Sequence, residues 1–599
     1  MSSGCGDVLS LADLQTAKKH QIFEAEVITG KSGGVAGGAS IDYATNTVTG
    51  QTQKTLPAIL RDLGFKPTSF DFTTGGTLTA ADRNKVVFDP VSSTWYSWAG
   101  ALPKVIPAGT NPLLDANWRP QTDPDLRADL ASTTINKGAS LIGTTSGDTV
   151  QTEIDKIKLK FNSFSSLRSS EGSLIGDYAL LTGWHASYQG YGAGVFKCVD
   201  KTGLTDDGGT IAVGSTYAWK RITGPGDATE FGVVPNAGSA FDNKAYILAA
   251  AATGALIFPA GDIYTTFFTL TDTYLVRGNF TNIREIEAPG VTDFIVHCSR
   301  NGTWEGRIDG IVWEDVSIFP IDTHRGFHTY FTTLGNMRSV RVKGGIGSWI
   351  EGASDWSFFQ CEFVESKGEQ NILITPKVDP QGTIGGGLVF NKCFIARSAK
   401  DGASITQMPS VWFRDSVIYH NADTGLRFNT DRTTYPGPEF TVNKVTGCDI
   451  DDNYYAGVQI TGGRYVDFSN NWVSSGRQNS GPGLSIYNSI GINIESNSVY
   501  LCGQNGITVK DSSFGSVSNN NSNDNKNTGI RIINCNRLSV CGNTACGATP
   551  LGAFPTAQEE GIRIEGDRIS SYGNICTGNS INNYSNVAAN KQDGLNITT

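Results

Sequence analysis

The sequence predicts a mainly β protein organised around a right-handed parallel β-helix, preceded by a small mixed α/β domain and a small β module. Three observations carry this. The pattern Gly-apolar-x-apolar recurs as GLRF at Gly425, GVQI at Gly457, GLSI at Gly483, GITV at Gly506, GIRI at Gly529, GIRI at Gly561 and GLNI at Gly594. Short strands repeating at ~23 residues, with extra residues inserted in some turns, are the signature of a solenoid. A second column runs in phase through Asn471, Asn497, Asn520, Asn543 and Asn574, continued upstream by Cys361, Cys393, Ser416 and Cys448. Stacked Asn side chains bond to the rungs above and below, which satisfies amides that a single buried Asn would leave unpaired. Finally, 71 Gly and 21 Pro in 599 residues favour a turn-rich chain.

The N-terminal part, residues 1–125, has its own texture. SLADLQTAKKHQIFEA offers Ser10 as N-cap and Asp13 in the first turn of a helix reaching toward Phe23, and TLPAILRDLG gives a second short helix stopped by Gly64. Residues 70–120 alternate as small strands around Trp95, Trp98 and Trp118. A linker is expected over 126–170 and a small antiparallel β module over 171–225. Its Asp206 and Asp207, beside Gly208 and Gly209, read as turn formers before metal ligands. Over 226–269 Asp242 is expected to cap a short helix ended by Gly254, and ALIFPAG to supply the strand that starts the sheet. From about 270 to 599, 12 to 14 coils rising ~4.8 Å each would extend ~60 Å. VSNNNSNDNKNTG, residues 517–529, then reads as a rung and not as low-complexity chain.

Composition excludes several classes. Lys+Arg 47 against Asp+Glu 57 gives net −10, the wrong sign for a nucleic-acid partner. The longest apolar stretch, Ala245 to Ala260, is broken by Thr253, Gly254 and Pro259, so no membrane insertion is expected. No charged leader precedes an apolar run, so no secretory signal peptide is expected and synthesis is assigned to a cytoplasm. The 11 cysteines read as reduced, buried small hydrophobes.

Beyond these readings, the segments resemble a known family. Residues 231–264 are similar to the lead-in of pectate-lyase-like β-helices. The GxGxF and DDGGT…WKRI elements within 178–222 look like the module before the β-helix of many bacteriophage tailspikes. MSSGCGDVLSLADLQTAKKHQIFEAEVITGKSGG, with WYSWAGALPKVIPAGTNPLLDANWRP, is similar to the virion-anchoring domain of tailspikes from enterobacterial phages. The resemblance implies a homotrimeric spike, made in the host cytoplasm and carried on the virion tail. Its N-terminal domain would bind other tail or baseplate proteins, and the spike would act at the cell surface by depolymerising a bacterial surface polysaccharide, capsule or O-antigen, during adsorption. Many tailspikes carry a C-terminal trimerisation domain, whereas GLNI at Gly594 reads here as a rung strand close to Thr599.

Glycoside hydrolysis needs two carboxyl groups ~5–5.5 Å apart for retention or ~6.5–9.5 Å apart for inversion. Aligning rungs on the Cys/Asn column turns Asp449 and Asp451 outward on one strand, ~6.8 Å apart as residues i and i+2. Tyr419 then shares the column of Asp451, Trp472 that of Asp449, and Tyr500 extends the first column. Aromatic faces for pyranose rings beside carboxylates for hydroxyls make a sugar groove. The expected catalytic residues are Asp449, Asp451 and Asp423, the last in the turn one rung earlier. The expected substrate contacts are Tyr419, Trp472, Tyr500, Tyr454 and His420. Outward Asp is also ordinary on a solvated sheet, and outward aromatics, with Phe394 and Val417 of the Asp449 column, would equally fill a trimer interface.

Glu362 and Glu365, three rungs away, and Asp401 are reserve acids. Neither cofactor nor resident metal is expected. His324 and His328 lack the zinc-peptidase glutamate between them, and GTIGGG at 382–387 reads as a turn. No GxSxG is present. Ca²⁺ on Asp449, Asp451 and Asp452, as in pectate lyases, would instead support β-elimination. Endo-acting hydrolysis is the leading expectation, with a lyase and a non-catalytic adhesin as alternatives.

Overall fold

Apolar side chains at alternate positions wind the long C-terminal region into a parallel β-helix, a single sheet of 35 strands running from Ala255–Ile257 to Gln592–Asp593. The computed structural model describes residues 11–598 apart from 30, 36, 56–57, 59–63, 65, 93, 121–141, 144–148, 151–158, 171, 173, 224–225, 289–293, 301–305, 378–384, 431–441, 475–480, 548–553 and 555. Each rung has three faces. In one rung they are Val442–Thr446, Asp449–Asp451 and Ala456–Thr461, paired in parallel with Arg464–Ser469, Trp472–Ser474 and Leu484–Tyr487 of the next. They are called here the first, second and third faces.

Stacking of equivalent residues fills the interior. Phe358, Phe390 and Phe413 lie ring on ring at 4.4 and 4.7 Å, a payload of apolar area placed where rungs repeat. The Asn column is a continuous ladder at the corner between first and second faces. Nδ2 of Asn471 donates to Oδ1 of Asn497, and so on through Asn520, Asn543, Asn574 and Asn596 at 2.9–3.0 Å. Upstream, Cys448 N–H donates to Asn471 Oδ1 at 2.9 Å and Cys393 N–H to Ser416 Oγ at 3.0 Å. The residue before each ladder position is left-handed, as at Asn470, Asn519 and Gly542 with φ 57, 56 and 66°, a conformation that Asn and Gly adopt at low cost. The Gly column has a steric cause. A Cβ at Gly425 or Gly457 would stand 2.6 Å from the carbonyl of the next rung's glycine.

Several expectations are corrected. Gly594 is not in the Gly column, because Gly561 stacks on Asn583 in the next rung, one residue along from the Glu560–Asn582 pair. GLNI instead lies at the Asn corner, where Asn596 ends the ladder. A second ladder, unread in the sequence, occupies the corner between second and third faces. There Asn421 Nδ2 donates to Asn453 Oδ1 at 2.8 Å, and further along Asn525 and Gln558 continue the same arrangement. The helix over Lys244–Ala251 buries Ile247 and Ala250 against the start of the core, but its N-cap is Asn243. Asp242 takes the N–H groups of Lys244 and Thr266 at 2.9 Å instead.

The small module is a five-stranded sheet that begins earlier than expected, at Leu159–Phe161, whose pairing with Tyr178–Leu181 is parallel. Its core holds Phe164, Phe196 and Trp219. Asp207 accepts three turn N–H groups and Asp206 pairs with Arg168 at 2.7 Å. Residues 156–599 form one compact unit and residues 1–155 another.

In the N-terminal unit a helix runs Leu11–Thr29, past Phe23. Ser10 and most of TLPAILRDLG lie outside the described residues. A four-stranded sheet of Lys66–Asp71, Lys85–Asp89, Thr94–Trp98 and Trp118–Pro120 packs Phe72, Tyr96, Trp98 and Trp118 together. Among the described residues ten cysteines are free, eight of them buried, and no helix is long and apolar enough to cross a membrane.

Candidate active site on the second face

The strand Asp449–Asp451 is held at both ends by the two ladders. Cys448 N–H is fixed by Asn471, and Asn453 Nδ2 donates to Ile418 O at 3.1 Å. Between these anchors Ile450 is fully buried, so strand alternation turns Asp449 and Asp451 outward. In register, Val417, Asp449 and Trp472 form one outward column and Tyr419, Asp451, Ser474 and Tyr500 the other. Trp472 and Tyr500 stack at 5.1 Å with a 27° interplanar angle, and Trp472 is 49% exposed. The result is an open shelf with two acids beside two stacked rings.

Electrostatics distinguishes these acids from their neighbours. No cation pairs with Asp449 among the described residues. Its own burial, then the charge of Asp451, pushes its carboxyl above the usual value. Asp451 Oδ1 accepts the Asp452 N–H at 2.8 Å, which orients that carboxylate. Asp452, left-handed at φ 51°, turns to His420 Nδ1 at 2.7 Å. Tyr419 lies 5.6 Å from the His420 ring, and Tyr454 is exposed at the turn.

Asp423 is not brought to the pair. It binds Arg427 Nη2 at 2.9 Å, and the same guanidinium holds Asp401 at 2.8 and 3.0 Å. Both acids therefore belong to an ion cluster facing the third face. Glu362 pairs with Arg341 at 2.9 Å, and Glu365 with Lys343 at 3.1 Å and Arg397 at 2.9 Å. His324 and His328 separate, the first to Glu285 at 2.6 Å, the second to His297 at 2.7 Å and Glu351 at 3.2 Å. Among the described residues no three or more His, Cys, Asp or Glu side chains converge as a metal site.

Two groove residues escaped the sequence reading. Asn521 donates to the Tyr500 hydroxyl. Asp524, raised by burial, occupies the left-handed corner position that His420 and Asp452 hold in their rungs. Extending the rung alignment one position beyond each strand would have found Asp524.

Fold and site together define a β-helix protein with an acidic, aromatic-edged groove. Three family models match the chain: the tail spike TSP1/Gp66 receptor binding N-terminal domain over residues 66–114, the phage tail protein small four-stranded beta-sheet domain over 160–224, and the right handed beta helix region over 333–475 and 439–598. In this order the matches give the chain the domain organisation of a phage tailspike.

A Klebsiella phage P510 protein described as a depolymerase, capsule KL64-specific, is 30% identical over 124 residues. That match spans 20% of this chain and 12% of the relative. Tailspike protein 3 of bacteriophage CBA120 is similar at 15% identity and TM-score 0.47, over 93% of this chain and 82% of that one. A full-length tailspike protein 2 from an Escherichia coli O157:H7 bacteriophage is similar at 15% identity and TM-score 0.42, over 86% and 62%.

Proposed function

We propose that the chain is a virion-tail depolymerase that binds a bacterial capsule or O-antigen and cuts it by endo-glycosidic hydrolysis at the second face. The Klebsiella phage relative supports the substrate class. The observation that carries the chemistry is the Asp449/Asp451 pair, unneutralised and set beside stacked Trp472 and Tyr500. Asp449, its carboxyl raised by burial and by Asp451, serves as general acid to the leaving oxygen. Asp451 serves as base toward water, a spacing of ~6.8 Å along the strand placing the pair nearer the inverting class. Asp423, bound to Arg427, shapes the corner and transfers no proton.

The N-terminal domain would join the spike to the tail. A homotrimer would cover Phe394 and Val417, half-buried in the Asp449 column.

Incubating the full chain with a panel of capsules and O-antigens and weighing the fragments by mass spectrometry tests the reading. Water-added oligosaccharides, lost in Asp449→Asn, are expected. A second reading rests on His420, held by Asp452 at 2.7 Å, as base in a β-elimination on a uronate. Unsaturated uronate ends would establish it, and intact polymer that is nonetheless bound would leave an adhesin.

A further inference from the structure

At the corner where the third face turns into the first, the rungs again place residues in the left-handed region, and the second of these starts the first-face strand. In six successive rungs the residues at that start are Tyr465, Gly491, Phe514, Arg537, Arg568 and Asn590, with φ 55, 73, 58, 56, 54 and 49°. Ladder register stacks them one above the other. At the Asn-ladder corner of the same stretch the equivalent position is Asn, Ser or Gly, as Asn470, Ser496, Asn519, Gly542 and Gly573, while Gln360 and Lys392 hold it in early rungs. The difference has an energetic meaning. A left-handed residue with a Cβ costs about 1–2 kcal/mol, and small polar residues offset this with local bonds, whereas Tyr, Phe and Arg do not. Nor do these rings add to the core, since Tyr465 is 51% and Phe514 47% exposed. Gly491 makes room for this display, because a Cβ there would meet the Tyr465 ring at 3.1 Å.

Beside the column lies a polar floor of Ser516, Ser539 and Ser570 on adjacent rungs. At the later rungs of floor and column, Arg537, Ser539, Arg568, Ser570 and Asn590 line an open cleft of about 470 Å³. The Arg537 guanidinium sits over the Phe514 ring at 4.9 Å, and no carboxylate pairs with it among the described residues. Arg568 approaches Asp567 at 3.6 Å, but that carboxylate also accepts from Asn590 Nδ2 at 2.7 Å. The Arg537 and Arg568 backbones stand one rung apart, ~4.8 Å, so two like charges share this corner and an added anion would ease their repulsion.

We propose that this corner and its serine floor form a second carbohydrate surface, which holds a carboxylate-bearing polysaccharide laid along the solenoid axis. Arg537 and Arg568 take the carboxylates, Phe514 and Tyr465 stack on sugar rings, and the serines bond hydroxyls. The surface lies across the Asn ladder from Asp449, so it holds polymer independently of cleavage and goes beyond the hydrolase reading. In a chain of net −10, Arg537 without a carboxylate partner among the described residues, beside Arg568 with only the long Asp567 contact, is a local exception that suits an anionic polymer.

The test measures binding of polygalacturonate oligomers to the full-length protein by calorimetry at low salt, with dextran oligomers as the neutral control. Polygalacturonate is expected to bind, with affinity falling as salt rises, and dextran to bind much more weakly. Arg537→Gln/Arg568→Gln should weaken polygalacturonate binding by about tenfold or more, and Phe514→Ala by several-fold. Arg537→Lys/Arg568→Lys should keep part of the binding that the Gln pair loses. The proposal is overturned if wild-type protein ignores polygalacturonate or holds dextran equally. It is also overturned if the double Gln variant binds unchanged, or if that variant alters only the oligomeric state in sedimentation, which would make the surface an interface between copies. Because the readout is binding, a failure to find cleaved glycan would sink the hydrolase and leave this surface standing.

Discussion

The second face carries acids in two places three rungs apart, and they are treated in opposite ways. In the early rungs Glu362 and Glu365 each face a cation delivered by a neighbouring rung, Arg341, Lys343 or Arg397. Burial works the other way on Glu365, yet Lys343 and Arg397 together hold its carboxyl below the usual value. Three rungs on, the same column presents Asp449, whose neighbours above and below are Val417 and Trp472. There burial and the charge of Asp451 raise the carboxyl. Along this face an acid is thus tied to a cation or left without one, according to what the adjacent rungs place beside it.

The comparison breaks most visibly in turnover. Asp449→Asn or Asp451→Asn should lower glycan cleavage by roughly 10² or more while keeping the shape, since each removes a proton-transfer group. Glu362→Gln and Glu365→Gln should stay within about twofold, because exposed ion pairs contribute little. Fragment release in all four variants decides this, and equal losses would dissolve the distinction. A smaller effect is expected from Val417→Lys, which gives Asp449 the cation that Glu362 already has. Cleavage that needs protonated Asp449 falls as pH rises through its pKa. The lysine should move this alkaline limb to lower pH, and the rate on the limb should drop about tenfold for each whole pH step the limb moves.

Trp472→Ala should weaken binding of uncleaved polymer by several-fold, in keeping with ring stacking worth about 0.5–1.5 kcal/mol. An unchanged affinity would remove the rings from the groove. The smallest effect is on stability, where the two acids should differ in sign. Glu365, lowered on folding, stabilises above its usual value of 4.5, and this support is lost as pH falls through its lower folded value. Glu365→Gln should therefore cost a few tenths of a kcal/mol at neutral pH, a penalty that vanishes in acid. Asp449, raised on folding, is favoured in its protonated form, so its stabilising contribution is present below its usual 3.8 and lost as pH rises through the folded value. Asp449→Asn should be slightly more stable than wild type at neutral pH, with the gain disappearing in acid. Denaturant titrations between pH 3 and 8 read both slopes.

Much of the groove is legible in the order of the residues alone. The alignment of Asp449 under Val417, of Tyr419 over Asp451 and of Trp472 under Asp449 needs only alternation and a repeated ladder residue, and the observed register agrees. What the residues do not reveal is which acids are neutralised. Arg427 stands four positions after Asp423 but 26 after Asp401, and the partners of Glu365 come from 22 residues before it and 32 after. Such pairings depend on rung register and side-chain reach together. The GLNI at Gly594 misleads for a related reason, since a four-residue pattern carries no information about which face it occupies.

The sequence by itself determined the solenoid, its Asn ladder and the outward placement of the two aspartates, because a repeat that stacks on itself turns linear spacing into vertical neighbours. Only the tertiary structure decided the second ladder between Asn421 and Asn453, the capture of Asp423 by Arg427, and the stacked left-handed column from Tyr465 to Asn590. These depend on backbone angles at the corners and on contacts between residues one coil apart, where neither composition nor periodicity distinguishes one polar or aromatic residue from the next.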